Sequence, residues 1–186
     1  MKIQTERLTL IALSAEMSAS ELAFIEGRAT REPFEQLLGA RVTTWPTGFH
    51  DATTCAYVLD KLSKHPDQRG WWQWHMLLNR EAQLPLLIGA TGFTGPPDAE
   101  GTVEIGYSIV EAYQRQGITP EAVQALTKWA FGHKAVRKII ITVVDVPELE
   151  PSRKVAQKSG FTYAGKKIEE GEIHSVYELT REGFAA

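Results

Sequence analysis

The chain has 186 residues, 43% of them hydrophobic and 23% charged, with a formal net charge of −3. That composition suits one medium-sized soluble domain and argues against disorder, a coiled coil or a strongly basic nucleic-acid binder. A single cysteine excludes an intrachain disulfide framework and any structural zinc site built on several cysteines.

The opening MKIQTERLTL has no apolar signal core and no small-residue cleavage site. No apolar run approaches the ~20 residues needed to cross a bilayer, so a soluble cytoplasmic protein with no membrane attachment is expected. Leu8 to Leu13 reads as a first strand, and helical patterns follow from Ser14 to Glu26 and from Arg31 to Leu38. Thr43 to His50 (TTWPTGFH) reads as a loop broken by Pro46 and Gly48. Asp51 is a good cap for a helix to Lys64, with Ala52, Cys55, Ala56, Leu59 and Leu62 as its apolar face. Cys55 reads as a buried core thiol on that face.

Three β-like runs come next, Trp72 to Asn79, Leu86 to Thr94 and Thr102 to Val110, the last two joined by a Gly-, Pro- and Asp-rich turn. A helix from Pro120 to Gly132 leads to Lys138–Val144 (KIIITVV), a nearly continuous apolar run that predicts a strand covered on both faces. A short helix, Pro151 to Ser159, ends at Gly160. Strands at Phe161–Lys167 and Ile173–Leu179 close the order. The expected fold class is α+β, a single domain over residues 1–186. Its mixed, mostly antiparallel sheet has about six to seven strands, helices on both faces, and one parallel strand–helix–strand crossover from Thr102 to Val144.

The informative segment is Val103 to Phe131. A strand runs through the turn QRQGIT (Gln114 to Thr119) straight into a helix. Thr119 is an N-cap type, Pro120 suits the first helical position, and Glu121 suits the positive end of the helix dipole. Unpaired amides around Gly117 at a helix start form a ready anion site, above all for a pyrophosphate. On geometry alone the pattern fits an ordinary strand-to-helix turn better, and one glycine is weak evidence for the anion site.

Together with the element order, this segment resembles the GNAT superfamily of N-acetyltransferases. The family motif Q/R-x-x-G-x-G/A stands here as Gln114-Arg115-Gln116-Gly117-Ile118-Thr119. TERLTL (Thr5–Leu10), VEIGYSI (Val103–Ile109) and SRKVAQKSGF (Ser152–Phe161) are similar, in the right order, to the branch that acetylates ribosomal-protein N-termini. The resemblance implies the acyl-CoA N-acyltransferase fold and acetyl-CoA as cosubstrate. Pantetheine would lie in a V-shaped cleft on the main chain of Ile109 and Val110. The pyrophosphate would sit on the 114–119 turn: Gln114, Arg115, Gln116, Gly117, Ile118 and Thr119. Arg115 could add a charge-assisted contact.

Two positions depart from the pattern. Thr119 stands where the family prefers Gly or Ala, and Leu149 stands where it often has Asn. Those departures leave a second reading open, a CoA-binding module without turnover.

The implied reaction moves an acetyl group to a primary amine, on a small molecule or a protein N-terminus, by direct attack. Such a reaction needs a base, an oxyanion donor and a proton donor for the thiolate. Glu104 is the expected base. On its strand it shares a face with Gly106 and Ser108, opposite Val103, Ile105 and Tyr107. The resemblance implies Ser152 as the proton donor, with Tyr107 and Tyr113 as alternatives. Trp45 and Phe49 in the loop, with Trp72 and Trp74 in GWWQWHM, are the candidate acceptor-side aromatics. His50, His65, His75, His133 and His174 show no close metal-ligand spacing, so no metal is expected. A monomer or homodimer without nucleic acid completes the expectation.

Overall fold

The chain builds an eight-stranded sheet with helices on both faces, in a computed structural model that describes residues 1–48 and 50–185. A short edge strand, β1 (Lys2–Gln4), precedes β2 (Leu8–Ala12) and escapes the sequence pattern because three residues carry no periodicity. Helix α1 (Ala15–Ile25) is capped by Ser14, whose side chain accepts from the Met17 amide. Helix α2 (Glu32–Leu38) ends on Gly39 at φ 67°. Helix α3 (Ala52–Lys64) begins at the expected cap, where Asp51 accepts from the Thr54 amide at 2.8 Å. Its buried stripe is Cys55, Val58 and Leu62, while Ala56 faces solvent.

The rest follows the predicted order: β3 (Gln73–Leu78), β4 (Leu86–Phe93), β5 (Thr102–Ile109), α4 (Ile118–Phe131), β6 (Lys138–Val144), α5 (Glu150–Lys158), β7 (Thr162–Glu169) and β8 (Glu172–Thr180). A short terminal helix, α6 (Arg181–Ala185), lies beyond the predicted elements. The sheet order is β1-β2-β3-β4-β5-β6-β8-β7. Every neighbouring pair is antiparallel except β5 and β6.

Strand alternation divides the core. Leu8, Leu10, Trp74 and Met76 face α4, whose Ala122, Leu126 and Ala130 are fully buried. Ile11 and Leu77 point the other way, onto Phe34 and Leu38 of α2. Leu13 and Trp72 meet Val58 and Leu62 of α3 in a third, smaller cluster. The second-face helices therefore cover β2 to β4 and stop short of β6. That corrects the expectation for β6: Ile139, Ile141 and Val143 are buried, whereas Lys138, Ile140, Thr142 and Val144 remain partly exposed.

One irregularity in the sheet creates the site. β5 and β6 pair only from Thr102↔Lys138 to Glu104↔Ile140. Beyond Glu104, β5 continues along β4, from Phe93↔Ile105 to Gly89↔Ile109, while β6 continues along β8 as far as Val144↔His174. The two parallel strands diverge into a V that opens toward the 114–119 turn.

Candidate functional site

The V is lined by main chain. The β4 side of β5 uses the carbonyl of Glu104, which accepts from Thr94 N at 3.0 Å, and the amide of Val110, which donates to Ile88 O at 2.8 Å. By strand alternation the peptide groups of Tyr107 and Ile109 point the other way, into the gap, beyond the last β5–β6 pair at Glu104↔Ile140. Of the two residues expected to line the cleft, Ile109 turns its peptide groups to the gap, whereas the Val110 amide is committed to β4 and its carbonyl accepts from Tyr113 N at 2.9 Å.

At the mouth of the V the turn supplies donors. Among the described residues, the amides of Arg115, Gln116, Gly117, Ile118 and Thr119 have no hydrogen-bond acceptor. Arg115 (φ 60°) and Gly117 (φ 74°) both take left-handed backbone, which curls consecutive N–H groups toward one side. Helix α4 starts with Gly117 as its cap, two residues earlier than the sequence pattern suggests. Thr119 is thus a buried first-turn residue rather than the cap, and its hydroxyl does not compete for a helix amide. The amides of Ile118 and Thr119 sit at the positive end of the helix. Gln114 and Gln116 are exposed, and the Gln116 side chain donates to Ala112 O at 2.9 Å.

A clamp from β1–β2 holds this turn. Arg7 Nε donates to Glu121 Oε2 at 2.7 Å, Arg7 Nη1 to the Gln116 carbonyl at 2.9 Å, and the Thr5 hydroxyl to Glu121 Oε1 at 2.6 Å. Burial pushes the Glu121 carboxyl up, but the Thr5 and Arg7 bonds outweigh it and leave the group below its ordinary value. Arg7 brings a guanidinium beside Gly117. Its role escaped the sequence reading. The signal was the arginine within TERLTL, uninterpretable until the fold brings residue 7 to residue 116.

The two faces of β5 carry different chemistry. On the α1–α3 side, Glu104 stands where the V begins to open. Its carboxylate accepts from the Thr142 hydroxyl, and Lys167 Nζ lies 4.0 Å away. It lines a pocket of about 200 Å³ with Asp98 and Ile140. On the same face, Ser108 Oγ meets Thr47 Oγ1 at 2.6 Å, which lays the 43–48 loop against β5. On the α5 side, the Tyr107 hydroxyl donates to the Ser152 carbonyl at 2.8 Å and accepts from Ser152 Oγ at 3.1 Å. Burial pushes the Tyr107 hydroxyl up to about 12, only partly offset by the Ser152 bond. Glu104 and Ser152 thus flank the gap from opposite faces, and Tyr107 joins Ser152. Tyr113 packs partly buried against the core.

The aromatic candidates separate. Trp45 stays partly exposed, its Nε1 donating to Glu21 Oε1 at 2.8 Å. Trp72 packs into the α3 cluster, and Trp74 is fully buried against Trp129 with its Nε1 bonded to Gly70 O at 2.8 Å. Both belong to the core, because helices cover β3 and the residue just before it on either face. Phe49 lies outside the described residues. Cys55 is buried, and burial pushes its thiol well up, as for a core residue rather than a nucleophile.

A family model described as an acetyltransferase (GNAT) domain matches residues 7–162. An uncharacterized N-acetyltransferase of Bacillus subtilis (strain 168), YjdG, is 30% identical over 126 residues, 67% of this chain and 71% of that protein. A ribosomal-protein-serine acetyltransferase of Escherichia coli (strain K12) is 33% identical over 99 residues, which span 53% of this chain and 51% of that protein. The solved ribosomal-protein-S5-alanine acetyltransferase from Vibrio fischeri shares the fold, with a TM-score of 0.67 at 17% identity over 98% of this chain and 97% of that one. No helix of the described residues is long and apolar enough to cross a membrane.

Proposed function

The chain belongs to the acetyltransferase (GNAT) family, and on that footing we propose that residues 1–186 act as one domain that moves an acetyl group from acetyl-CoA to a primary amine in a ternary complex. The observation that carries this reading is the early end of the β5–β6 pairing at Glu104, in line with a turn of unpartnered amides. The gap suits an extended pantetheine arm bonded to the main chain of Ile109. The amides of Arg115 to Thr119 suit a pyrophosphate, with the Arg7 guanidinium beside them and the Arg115 side chain free to add a contact.

The chemistry follows from the placement of the two faces. A neutral amine attacks the thioester carbonyl from the Glu104 face, forming the C–N bond. The β5 main chain in the gap donates to the oxyanion. Glu104 takes the amine proton, directly or through a water. As the C–S bond breaks, the Tyr107–Ser152 pair donates a proton from the opposite face to the CoA thiolate. Tyr107 suits that role because a tyrosine hydroxyl is protonated near neutral pH and Ser152 holds this one in place. The carboxylates of Glu104 and Asp98 in one pocket favour an acceptor that arrives as a cation. A protein N-terminus fits that description, and so does a small amine.

Calorimetry with acetyl-CoA beside a free-thiol assay over a panel of primary amines, N-terminal peptides included, tests the reading. Binding with amine-dependent CoA release, abolished by Glu104→Gln, supports it. Absence of binding overturns it. Binding with no release for any amine favours instead a CoA-binding module without turnover, the reading that Leu149 in place of a polar residue supports.

A further inference from the structure

The α1–α2 side of the sheet holds a polar knot that acetyl transfer does not use. Glu21 comes from α1, His50 from the loop before α3, and His75 from β3. None of the three side chains is more than 3% exposed. His50 Nε2 and His75 Nε2 each stand 2.9 Å from Glu21 Oε1, and the three ligand-type atoms lie within 4.8 Å of one another.

As an all-hydrogen-bonded knot the arrangement is lopsided. Glu21 Oε1 also accepts from Trp45 Nε1, so one oxygen serves three N–H groups. Glu21 Oε2 and His75 Nδ1 are buried with no partner among the described residues. A metal on these atoms relieves the crowding at Oε1, while His75 Nδ1 keeps its proton without a partner. Two imidazoles and one carboxylate converge through Nε2 and oxygen, a set that suits a transition metal. A second layer stands behind them, which is how metal ligands are commonly oriented. Trp45 Nε1 fixes the carboxylate, and the Gln73 amide lies 2.8 Å from His50 Nδ1. The same Gln73 nitrogen lies 3.0 Å from His50 Nε2, so it packs along the ring edge between the two nitrogens. Cys55 Sγ lies 3.2 Å from His50 Nε2 at the edge of the trio, as a protonated thiol and not a ligand.

We propose that Glu21, His50 and His75 form a buried site for a divalent transition metal, Zn2+ by ligand type, that ties the Trp45–His50 loop to the sheet. Tetrahedral coordination requires ligand atoms about 3.3 Å apart, so the 2.9 Å pairs must spread by only a few tenths of an ångström. On binding, each imidazole offers the Nε2 lone pair with its proton on Nδ1, Glu21 offers a carboxylate oxygen, and any proton held in excess by the trio is released to solvent. The site lies behind the loop that touches Ser108 through Thr47, so its effect on the cleft runs through loop position. It stands independently of the acetyl-transfer reading.

The test is metal content of the full chain. Protein stripped with a chelator is reloaded with Zn2+, or with Co2+ as a visible probe, and gel-filtered before elemental analysis. The expected result is about one equivalent per chain, a cobalt spectrum of low-symmetry coordination, and a melting temperature that rises on reloading. Glu21→Gln and His75→Gln, checked for native circular dichroism, should each lower retained metal at least about tenfold, as loss of a ligand predicts. The cobalt spectrum of the unmutated protein reports on the site even if those variants misfold. Retention below about a tenth of an equivalent by the reloaded protein would overturn the site. Equal retention by folded Glu21→Gln would do the same, since the metal would then sit on surface histidines.

Discussion

The two faces of the sheet solve burial differently. On the α4–α5 face one continuous apolar cluster runs from Leu8 and Trp74 through Leu126 and Ile141 to Phe161. On the other face the apolar residues fall into two smaller clusters, with Glu21, His50, His75 and Gln73 buried beside them. A continuous core resists deformation because close-packed side chains leave no slack. It is therefore the face that anchors α4 and the turn that starts it. The second face relies on directional bonds, which hold a loop such as 43–48 in one place without large apolar area. The rigid face is the one proposed to grip the cosubstrate, and the bonded face the one proposed to receive the acceptor.

The sharpest way to break that division is Glu104→Gln. It acts on the acceptor face alone, so kcat should fall about 10²- to 10⁴-fold, the usual worth of a general base, while acetyl-CoA affinity by calorimetry stays within about twofold. A parallel loss of affinity would mean that the faces are not separable. Next in size is Leu126→Ala. It empties the continuous core and should cost about 2–5 kcal/mol in urea melts, with Leu62→Ala in the α3 cluster at the low end of that range. Equal costs would show that cluster size does not matter.

Arg7→Ala removes a clamp on the 114–119 turn, proposed to hold the pyrophosphate, without touching either core. Loss of its charge-assisted bonds should raise the Kd for acetyl-CoA about tenfold and leave kcat at saturation little changed, read as a KM-against-kcat split. Ser152→Ala should lower kcat by less than Glu104→Gln, because Tyr107 keeps its bond to the Ser152 carbonyl. Steady-state rates decide the order.

The smallest effect is a pH dependence. The folded Glu121 carboxyl lies below its ordinary 4.5. Its contribution is therefore fully present above that value and is lost as pH falls through the lower folded one. Acid melts should show this loss weakened in Arg7→Ala, because the cation that helps depress the group is gone.

Much of the fold was legible because its signals are local. Asp51 as a cap and the KIIITVV run each depend on residues a few positions apart, and both elements formed where expected. β1 and α6 were illegible because they are too short for a period to show. The helix start misread at Thr119 has a similar cause. Thr-Pro is a strong local cap signal, but Gly117 in left-handed backbone lets the helix begin earlier, and α4 packing buries Ile118 and Thr119. Trp74 looked like a cleft residue because helices on both faces were expected without any sign of which one packs over β3.

The sequence alone determined the order of elements, the parallel unit through α4 and the amide-rich turn at Gly117, since propensity, capping and turn chemistry act over a few residues. Only the tertiary structure decided where β5 leaves β6, which side of β5 each side chain meets, that Arg7 reaches Gln116, and that Glu21, His50 and His75 converge. Those features join residues tens to more than a hundred positions apart. Such contacts form because burial and strand pairing bring distant segments together, and no spacing along the chain records them.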